Sequence, residues 1–139
     1  MGPVAEGAKI RNVAFDSDVL VWFFRGNDRA RRFIAAVPHA GRAVSSLTVM
    51  ELLQGCRSRI EVQEVKAFLS ANVPAVLHPD EAVSRRAIGL LEDYGIGHGF
   101  RVVDALIAAT AIELGFTLAT GNAKHYRAIA SLDILKFRP

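Results

Sequence analysis

The chain has 139 residues, which fits one domain with one core, and its hydrophobic fraction of 51% is ample for a packed interior. The single Cys56 excludes an internal disulfide and, with only four His residues, argues against a structural zinc site. A net charge of +3 permits an anionic partner without demanding one, and the short, interrupted apolar stretches argue against a membrane span.

The first ten residues are predicted to be a flexible lead-in to one domain that covers residues 11–139. They contain no apolar run of the kind that a secretory signal needs. Because the chain has a single cysteine, we expect the protein in a reducing cytoplasm.

Short β-like runs alternate with amphipathic helical runs along the chain. In chain order, we predict a strand over 12–15, helices over 19–24 and 29–37, a strand over 42–45, helices over 48–56 and 60–69, a strand over 75–77, helices over 79–94 and 102–114, a strand over 116–119, a short helix over 123–130 and a strand over 134–137. Gly115 is placed to stop the long helix before it.

This alternation predicts an α/β fold of three layers, α/β/α, with a central parallel sheet of four to five strands. The crossovers between parallel strands should be right-handed. In such folds the working site lies beyond the carboxyl ends of the strands, so polar residues at those ends are the candidates for function.

Three acidic residues fall at this predicted edge. Asp16 ends the first strand, Glu51 lies in the first turn of the helix after the second strand, and Asp104 lies in the first turn of the long Ala-rich helix. Carboxylate oxygens are the ligands that Mg²⁺ or Mn²⁺ requires. Three carboxylates in one place repel one another unless a cation is present, so their convergence predicts a metal site.

Each acid also has a simpler interpretation. Asp16 can cap the first helix, Glu51 can form a capping box with Thr48, and Asp104 can offset the dipole of its helix. Capping alone does not explain why all three lie at the same edge of one sheet.

Four sequence blocks, in order and at suitable spacing, resemble the motifs of PIN domains. Val13–Leu20 (VAFDSDVL) looks like the opening strand that ends in Asp-Ser/Thr-x-Val-Leu, and Ser45–Leu52 (SSLTVMEL) resembles Ser-x-x-Thr-x-x-Glu-Leu. His98–Ala111 resembles the block with Asp-Ala-x-Ile-Ala-Ala, and Leu118–Tyr126 is similar to Thr-x-Asn-x-x-His/Asp-Phe. The length and the Ala-Ala-Thr-Ala helix resemble the VapC toxins of prokaryotic toxin–antitoxin pairs.

The resemblance implies an endoribonuclease that cleaves RNA by metal-activated water, with Mg²⁺, or alternatively Mn²⁺, as its cofactor. It implies Asp16, Glu51 and Asp104 as catalytic and metal-binding residues. It also implies a small antitoxin protein as partner, contact with DNA only through that antitoxin, and a homodimer. Many PIN domains have a fourth acid in the last block, where this chain has Asn122 and, three residues later, His125.

Other residues are assigned supporting parts. Asn122, Thr120 and Ser17 are predicted to support the carboxylates or a metal-bound water. Arg25, Arg101 and Lys124 are candidate RNA contacts, because arginine and lysine bind phosphates. We expect Asp18 to face solvent or to cap a helix, and the role of His125 stays open.

Two other functions remain open. Asp16 and Asp18 resemble the Asp-x-Asp opening of haloacid-dehalogenase-type phosphatases, but the later motifs of those enzymes are missing. Alternatively, a PIN fold can hold RNA or a partner without cutting it. The apolar helix faces at Ile60–Leu69 and Trp22–Phe24 suit core packing first, and also suit a dimer interface or an antitoxin groove.

Overall fold

Every strand pairing in the described part of the chain is parallel. The computed structural model describes residues 12–139, so the predicted lead-in over 1–10 lies outside the described residues. Five strands form one sheet in the order β3-β2-β1-β4-β5. They are β1 (Val13–Phe15), β2 (Arg42–Ser45), β3 (Ala75–Leu77), β4 (Thr117–Thr120) and β5 (Ile134–Lys136).

Seven α-helices of residues 12–139 connect these strands and complete the predicted α/β fold. They are α1 (Ser17–Phe24), α2 (Asp28–Ala35), α3 (Ser46–Gln54), α4 (Arg59–Asn72), α5 (Glu81–Tyr94), α6 (Val102–Leu114) and α7 (Ala123–Tyr126). The longest have 14 residues, about 21 Å, and within the described range no helix is long and apolar enough to cross a bilayer.

Two apolar clusters cover the two faces of the sheet. On one face, Phe15 and Val44 pack with side chains of α1, α2, α3 and α4, such as Leu20 and Leu69. On the other face, Leu118 packs with α5 and α6. Burying an aliphatic or aromatic side chain stabilises the fold by roughly 1.5–3 kcal/mol, so these two interfaces hold the helices in place.

Two helices begin earlier than predicted because a side chain caps each of them. The Asp16 carboxylate accepts a hydrogen bond from the Ser17 N–H, so α1 begins at Ser17 rather than at 19. Ser45 Oγ accepts the Leu47 N–H, so α3 begins at Ser46 rather than at 48. This second shift moves Glu51 from the predicted first turn of its helix to the second.

The last helix, α7, ends at Tyr126 instead of continuing to 130. Beyond it the chain turns, with hydrogen bonds from the Ile129 N–H to the Tyr126 carbonyl and from the Leu132 N–H to the Ile129 carbonyl. Ile129 and Leu132 are both buried in the second cluster. Their burial favours the turning path over a longer surface helix.

Two glycines predict opposite effects of the same substitution. Gly115 ends α6 with φ +73°, whereas Gly89 lies inside α5, and an added Cβ meets no atom within 4 Å at either position. Gly115→Ala should lower the free energy of unfolding by about 1–2 kcal/mol, because alanine is strained at positive φ. Gly89→Ala should raise it by roughly 0.5–1 kcal/mol, because alanine favours a helix. Urea unfolding of both variants measures these changes in the free energy of unfolding. Changes of the same sign in the two variants would contradict the prediction.

Candidate active site

Asp16 lies at the carboxyl edge of the sheet, directly after β1, and is only 8% exposed. Phe15 of β1 is in register with Ala119 of β4, so the next residues, Asp16 and Thr120, are neighbours. Thr120 Oγ1 donates a hydrogen bond to Asp16 Oδ2 (2.9 Å), and the Ser17 N–H donates to Oδ1 (2.9 Å). The helix-cap interpretation of Asp16 is therefore correct, and it does not remove the carboxylate from the site.

Asp104 reaches the same edge from the first turn of α6. Its Oδ2 accepts hydrogen bonds from the Arg101 N–H (3.0 Å) and from His125 Nε2 (2.9 Å). The Tyr126 hydroxyl lies 3.4 Å from Oδ1, which is long for a hydrogen bond between oxygens. Asp104 thus caps its helix through Arg101 and joins α6 to α7 through His125.

Glu51 is the exposed member of the three. It is the sixth residue of α3 and faces the groove that also borders Asp104. The capping-box alternative for Glu51 is wrong, because Ser45 is the capping residue and Thr48 lies within the helix. Thr48 is fully buried, and its hydroxyl oxygen has no hydrogen-bond partner.

The charges of the three carboxylates act on one another. Burial raises the pKa of Asp16; hydrogen bonds from Thr120 and Ser17 oppose the shift, and the Asp104 charge adds to it. Burial also raises the pKa of Glu51, against hydrogen bonding to Ser17, and the charges of Asp16 and Asp104 reinforce the shift. Asp16, Glu51 and Asp104 therefore share one electrostatic environment.

The buried Tyr126 hydroxyl lies beside this environment. Burial raises its pKa above the usual range, and the charges of Asp16, Asp104 and Glu51 raise it further. Tyr126 therefore stays a neutral phenol at any ordinary pH.

The prediction that Asp18 faces solvent or caps a helix is wrong. Its Oδ2 accepts the Gly121 N–H (2.8 Å) from the loop after β4, and its Oδ1 is buried without a hydrogen-bond partner. Burial, and then the charge of Asp16, raise the pKa of Asp18 to about 6. A Cβ on Gly121 would meet Asp18 Oδ2 at 2.6 Å, so a larger residue at this position would displace the Asp18 carboxylate.

The predicted supporting residues differ in their placement. Thr120 Oγ1, besides donating to Asp16, accepts the Asn122 N–H (3.0 Å), and Ser17 lies between Asp16 and Glu51. The Asn122 residue is exposed, and it contributes this backbone contact to the loop. Thr120 and Ser17 are thus in position to orient carboxylates, whereas Asn122 acts here through its main chain.

Two grooves lead away from the carboxylates. One, of about 560 Å³, is lined by Glu51, Asp104, Arg101 and apolar neighbours. The second, also about 560 Å³, runs between α1, α3 and α4 and is lined by Glu51, Arg25 and others. Arg25 lies over the Trp22 ring at 5.4 Å from its centroid. Arg101 and Arg25 therefore flank the acids, and Lys124 is exposed on α7.

The side chains do not form a ready-made metal cage. Within residues 12–139, no group of three His, Cys, Asp or Glu side chains is arranged to hold a metal ion as it stands. Asp16 and Asp104 instead accept hydrogen bonds from protein donors, and Glu51 stays at the rim. A cation at this site would therefore have to be held partly through its own water ligands.

The sequence did not resolve how three residues beside the acids are placed: Asp18, His125 and Tyr126. All three make contacts to or from the segment after β4, far along the chain from their partners. The signal for two of them was present, because His125 and Tyr126 end the fourth motif block. The sequence contained no signal for the contact of Asp18 with Gly121, beyond the position of Asp18 two residues after Asp16.

Comparison with known proteins agrees with this architecture. The family model of the PIN domain matches residues 13–130. Ribonuclease VapC19 of Mycobacterium tuberculosis is 35% identical over 114 residues, 80% of this chain and 89% of the relative. A toxin–antitoxin complex from Klebsiella pneumoniae has a chain with a TM-score of 0.74 and 25% identity, covering 90% of this chain and 96% of that one. A chain of VapBC2 from Rickettsia felis, solved bound to a DNA fragment from its promoter, also has a TM-score of 0.74. Its sequence identity is 19%, and the match covers 91% of this chain and 98% of that one.

The raised pKa of Asp18 predicts a pH-dependent stability difference from Asp18→Asn. The contribution of Asp18 to the free energy of unfolding is fully present below about pH 3.8. It is lost as the pH rises through about 6, where the buried carboxylate ionises. The stability of the wild type minus that of Asp18→Asn should therefore fall by about 1–2 kcal/mol between pH 4 and 8, a range reduced for partial solvent screening.

Urea unfolding in EDTA at several pH values measures this difference. Asp133→Asn, which removes an exposed carboxylate at the opposite edge of the sheet, is the matched control for the loss of one charge. A difference for Asp18→Asn that stays constant or grows with pH would contradict the burial of this carboxylate.

Proposed function

The chain belongs to the VapC-type branch of the PIN-domain family, and from this premise we propose that it is a Mg²⁺-dependent endoribonuclease, the toxin of a type II toxin–antitoxin pair. The observation that supports this most is the meeting of Asp16, Glu51 and Asp104 at the carboxyl edge of the sheet, where burial and mutual repulsion raise the pKa of Asp16 and Glu51.

The donor set fits a hydrated Mg²⁺. A carboxylate oxygen offers about two lone pairs, so each oxygen of Asp16 keeps one after its protein hydrogen bond, and Asp104 keeps Oδ1. Mg²⁺ retains several waters and takes only one or two carboxylates, so it does not need a three-ligand cage. Asp16 and Asp104 would hold the ion, with Glu51 reaching it from the rim; Mn²⁺ suits the same oxygens.

Asp16 and Asp104 would hold the cation, whose chemistry when bound would be to polarise a backbone phosphate and to make a nearby water more acidic. Thr120 and Ser17 keep the Asp16 carboxylate oriented. Glu51, exposed and with a raised pKa, is placed to orient the attacking water and to accept its proton. In-line attack by this water on phosphorus would form the new P–O bond and break the P–O3′ bond. The 3′-oxygen would leave and take up a proton from solvent, so the products would be a 5′-phosphate and a 3′-hydroxyl, without participation of the ribose 2′-hydroxyl.

The RNA itself would be held by its phosphates. Arg101 shares a groove with Glu51 and Asp104, and Arg25 lines the second groove beside Glu51. Arginine binds phosphate through two parallel hydrogen bonds, which positions the backbone without reading the sequence. Lys124, exposed on α7, can extend this contact.

Asp104→Asn tests the catalytic proposal. It should reduce Mg²⁺-dependent cleavage of RNA by at least about 100-fold, more than the 10–100-fold typical for losing a partner of a metal ligand. EDTA should abolish wild-type cleavage, and Asp133→Asn should cleave like the wild type. Undiminished cleavage by Asp104→Asn, or by the wild type in EDTA, would contradict the proposal.

The same assay separates the alternative of a PIN module that binds without cutting. That alternative is favoured by one observation, the lack of a ready-made metal cage within the described residues. It predicts that the wild type binds RNA and cleaves none with Mg²⁺ present. The phosphatase alternative is not supported, because Asp18 is held by Gly121 and its second oxygen is buried.

The groove between α1, α3 and α4 supports an antitoxin partner. Phe24, Leu52 and Val65 give it apolar walls, and its end reaches Glu51. An amphipathic helix of the antitoxin in this groove would bury these walls and cover the exposed acid. The Klebsiella pneumoniae relative was solved as a toxin–antitoxin complex, which supports such a partner here. The homodimer remains a prediction, which light scattering of the purified protein tests.

Val21→Glu tests the groove. Val21 lines it and is 36% exposed, so the added charge should leave the fold intact and weaken binding of the protein encoded by the neighbouring small reading frame by at least 10-fold. Ile88→Glu, at a 58% exposed position on α5, is the matched control. Equal binding by Val21→Glu and wild type, or the absence of such a reading frame, would contradict this partner site.

A further inference from the structure

The two oxygens of Asp104 are used unequally. Oδ2 accepts two hydrogen bonds, from the Arg101 N–H at 3.0 Å and from His125 Nε2 at 2.9 Å. These occupy the two lone pairs of that oxygen. Oδ1 has the Tyr126 hydroxyl at 3.4 Å, a distance too long for a strong hydrogen bond. One oxygen of Asp104 is thus committed to the protein, and the other remains open.

The His125 ring is fixed where it makes this contact. Its centroid lies 5.6 Å from the Phe100 ring and 5.3 Å from the Tyr126 ring, which stands at 87° to it. The side chain is 19% exposed, and the His125 N–H donates to the Asn122 carbonyl at 3.0 Å. The imidazole therefore has little freedom to turn its Nε2 away from Asp104.

We propose that His125 is the positioning residue of Asp104: its Nε2–H holds Oδ2 and thereby directs Oδ1 toward the cation. The proposal rests on the Mg²⁺ site proposed above. A neutral imidazole with its proton on Nε2 is sufficient, so the role does not depend on the charge of His125.

The positioning has a definite consequence for the site. Without the imidazole, Oδ2 keeps only the Arg101 N–H, and the distant Tyr126 hydroxyl cannot replace the lost donor. The carboxylate can then turn about its last bond, and a cation loses the fixed direction of Oδ1. Asp16 has the corresponding support from Thr120 and Ser17, so each of the two inner carboxylates has its own anchor.

Two substitutions of equal reach separate the hydrogen bond from the packing. In His125→Gln the amide nitrogen is as many bonds from the backbone as Nε2, so a donor remains. In His125→Met the side chain has the same length and no donor. Tyr126→Phe is the matched control, because it removes the other side-chain donor near Asp104, a hydroxyl that is too distant to hold the carboxylate.

Calorimetric titration with Mg²⁺ and with Mn²⁺, and thermal unfolding in EDTA, are the measurements. His125→Met should weaken cation binding by 10–100-fold, the usual cost of losing a partner of a metal ligand. His125→Gln should recover binding to within about 3-fold of the wild type, and Tyr126→Phe should stay within about 3-fold. Unfolding in EDTA reports whether His125→Met is also destabilised without metal.

The outcomes are distinct. If His125→Met binds the cations as tightly as the wild type, the positioning role is overturned, but the cation site is not. Equal weakening in His125→Gln and His125→Met would also overturn it, because packing rather than donation would be responsible. A wild type that binds neither cation would overturn the site itself and the positioning role with it.

A measurement on the unchanged protein covers the case in which His125→Met does not fold. Nitrogen-15 NMR of wild-type protein in EDTA should show a proton on Nε2 of His125, which the contact with Asp104 requires. A neutral ring protonated only on Nδ1 would overturn the proposal without any variant.

Discussion

Repulsion among three carboxylates at one sheet edge is the constraint on which the rest of the site depends. Asp16 is buried, Glu51 stands at the rim, and Asp104 lies in the first turn of α6, yet the charge of Asp104 acts on Asp16, and the charges of both act on Glu51. A fold that holds such a cluster without a counter-charge gives up stability. Its hydrogen-bond donors, Thr120, Ser17, Arg101 and His125, offset part of this cost and direct the oxygens. The cation that we propose would offset the remainder.

The sheet topology creates this meeting point. β1 lies in the middle of five parallel strands, with β2 on one side and β4 on the other, so their carboxyl ends deliver Asp16, the start of α3 and Thr120 to one edge. The two apolar clusters fix α3 on one face and α6 on the other, and these helices bring Glu51 and Asp104 to the same edge. The packing of both faces is therefore what sets the geometry of the acids.

Much of this was predictable from local signals. The alternation of strands and helices gave the fold class, since periodicity reports burial directly, and strand ends pointed to Asp16. Glu51 was found through its motif, but its helix register was predicted wrongly because Ser45 outcompetes Thr48 as the cap. Asp18 and His125 could not be resolved, because Gly121 lies 103 residues from Asp18 and the direction of a side chain follows from tertiary packing.

The most direct test of the central claim is an anomalous difference map from crystals of the protein soaked in Mn²⁺. We expect a peak between the carboxylates, on the side of Asp16 and of Oδ1 of Asp104, with Oδ2 still bonded to His125. A peak on Oδ2, or an empty carboxylate edge in crystals that take up Mn²⁺ elsewhere, would contradict the proposed site.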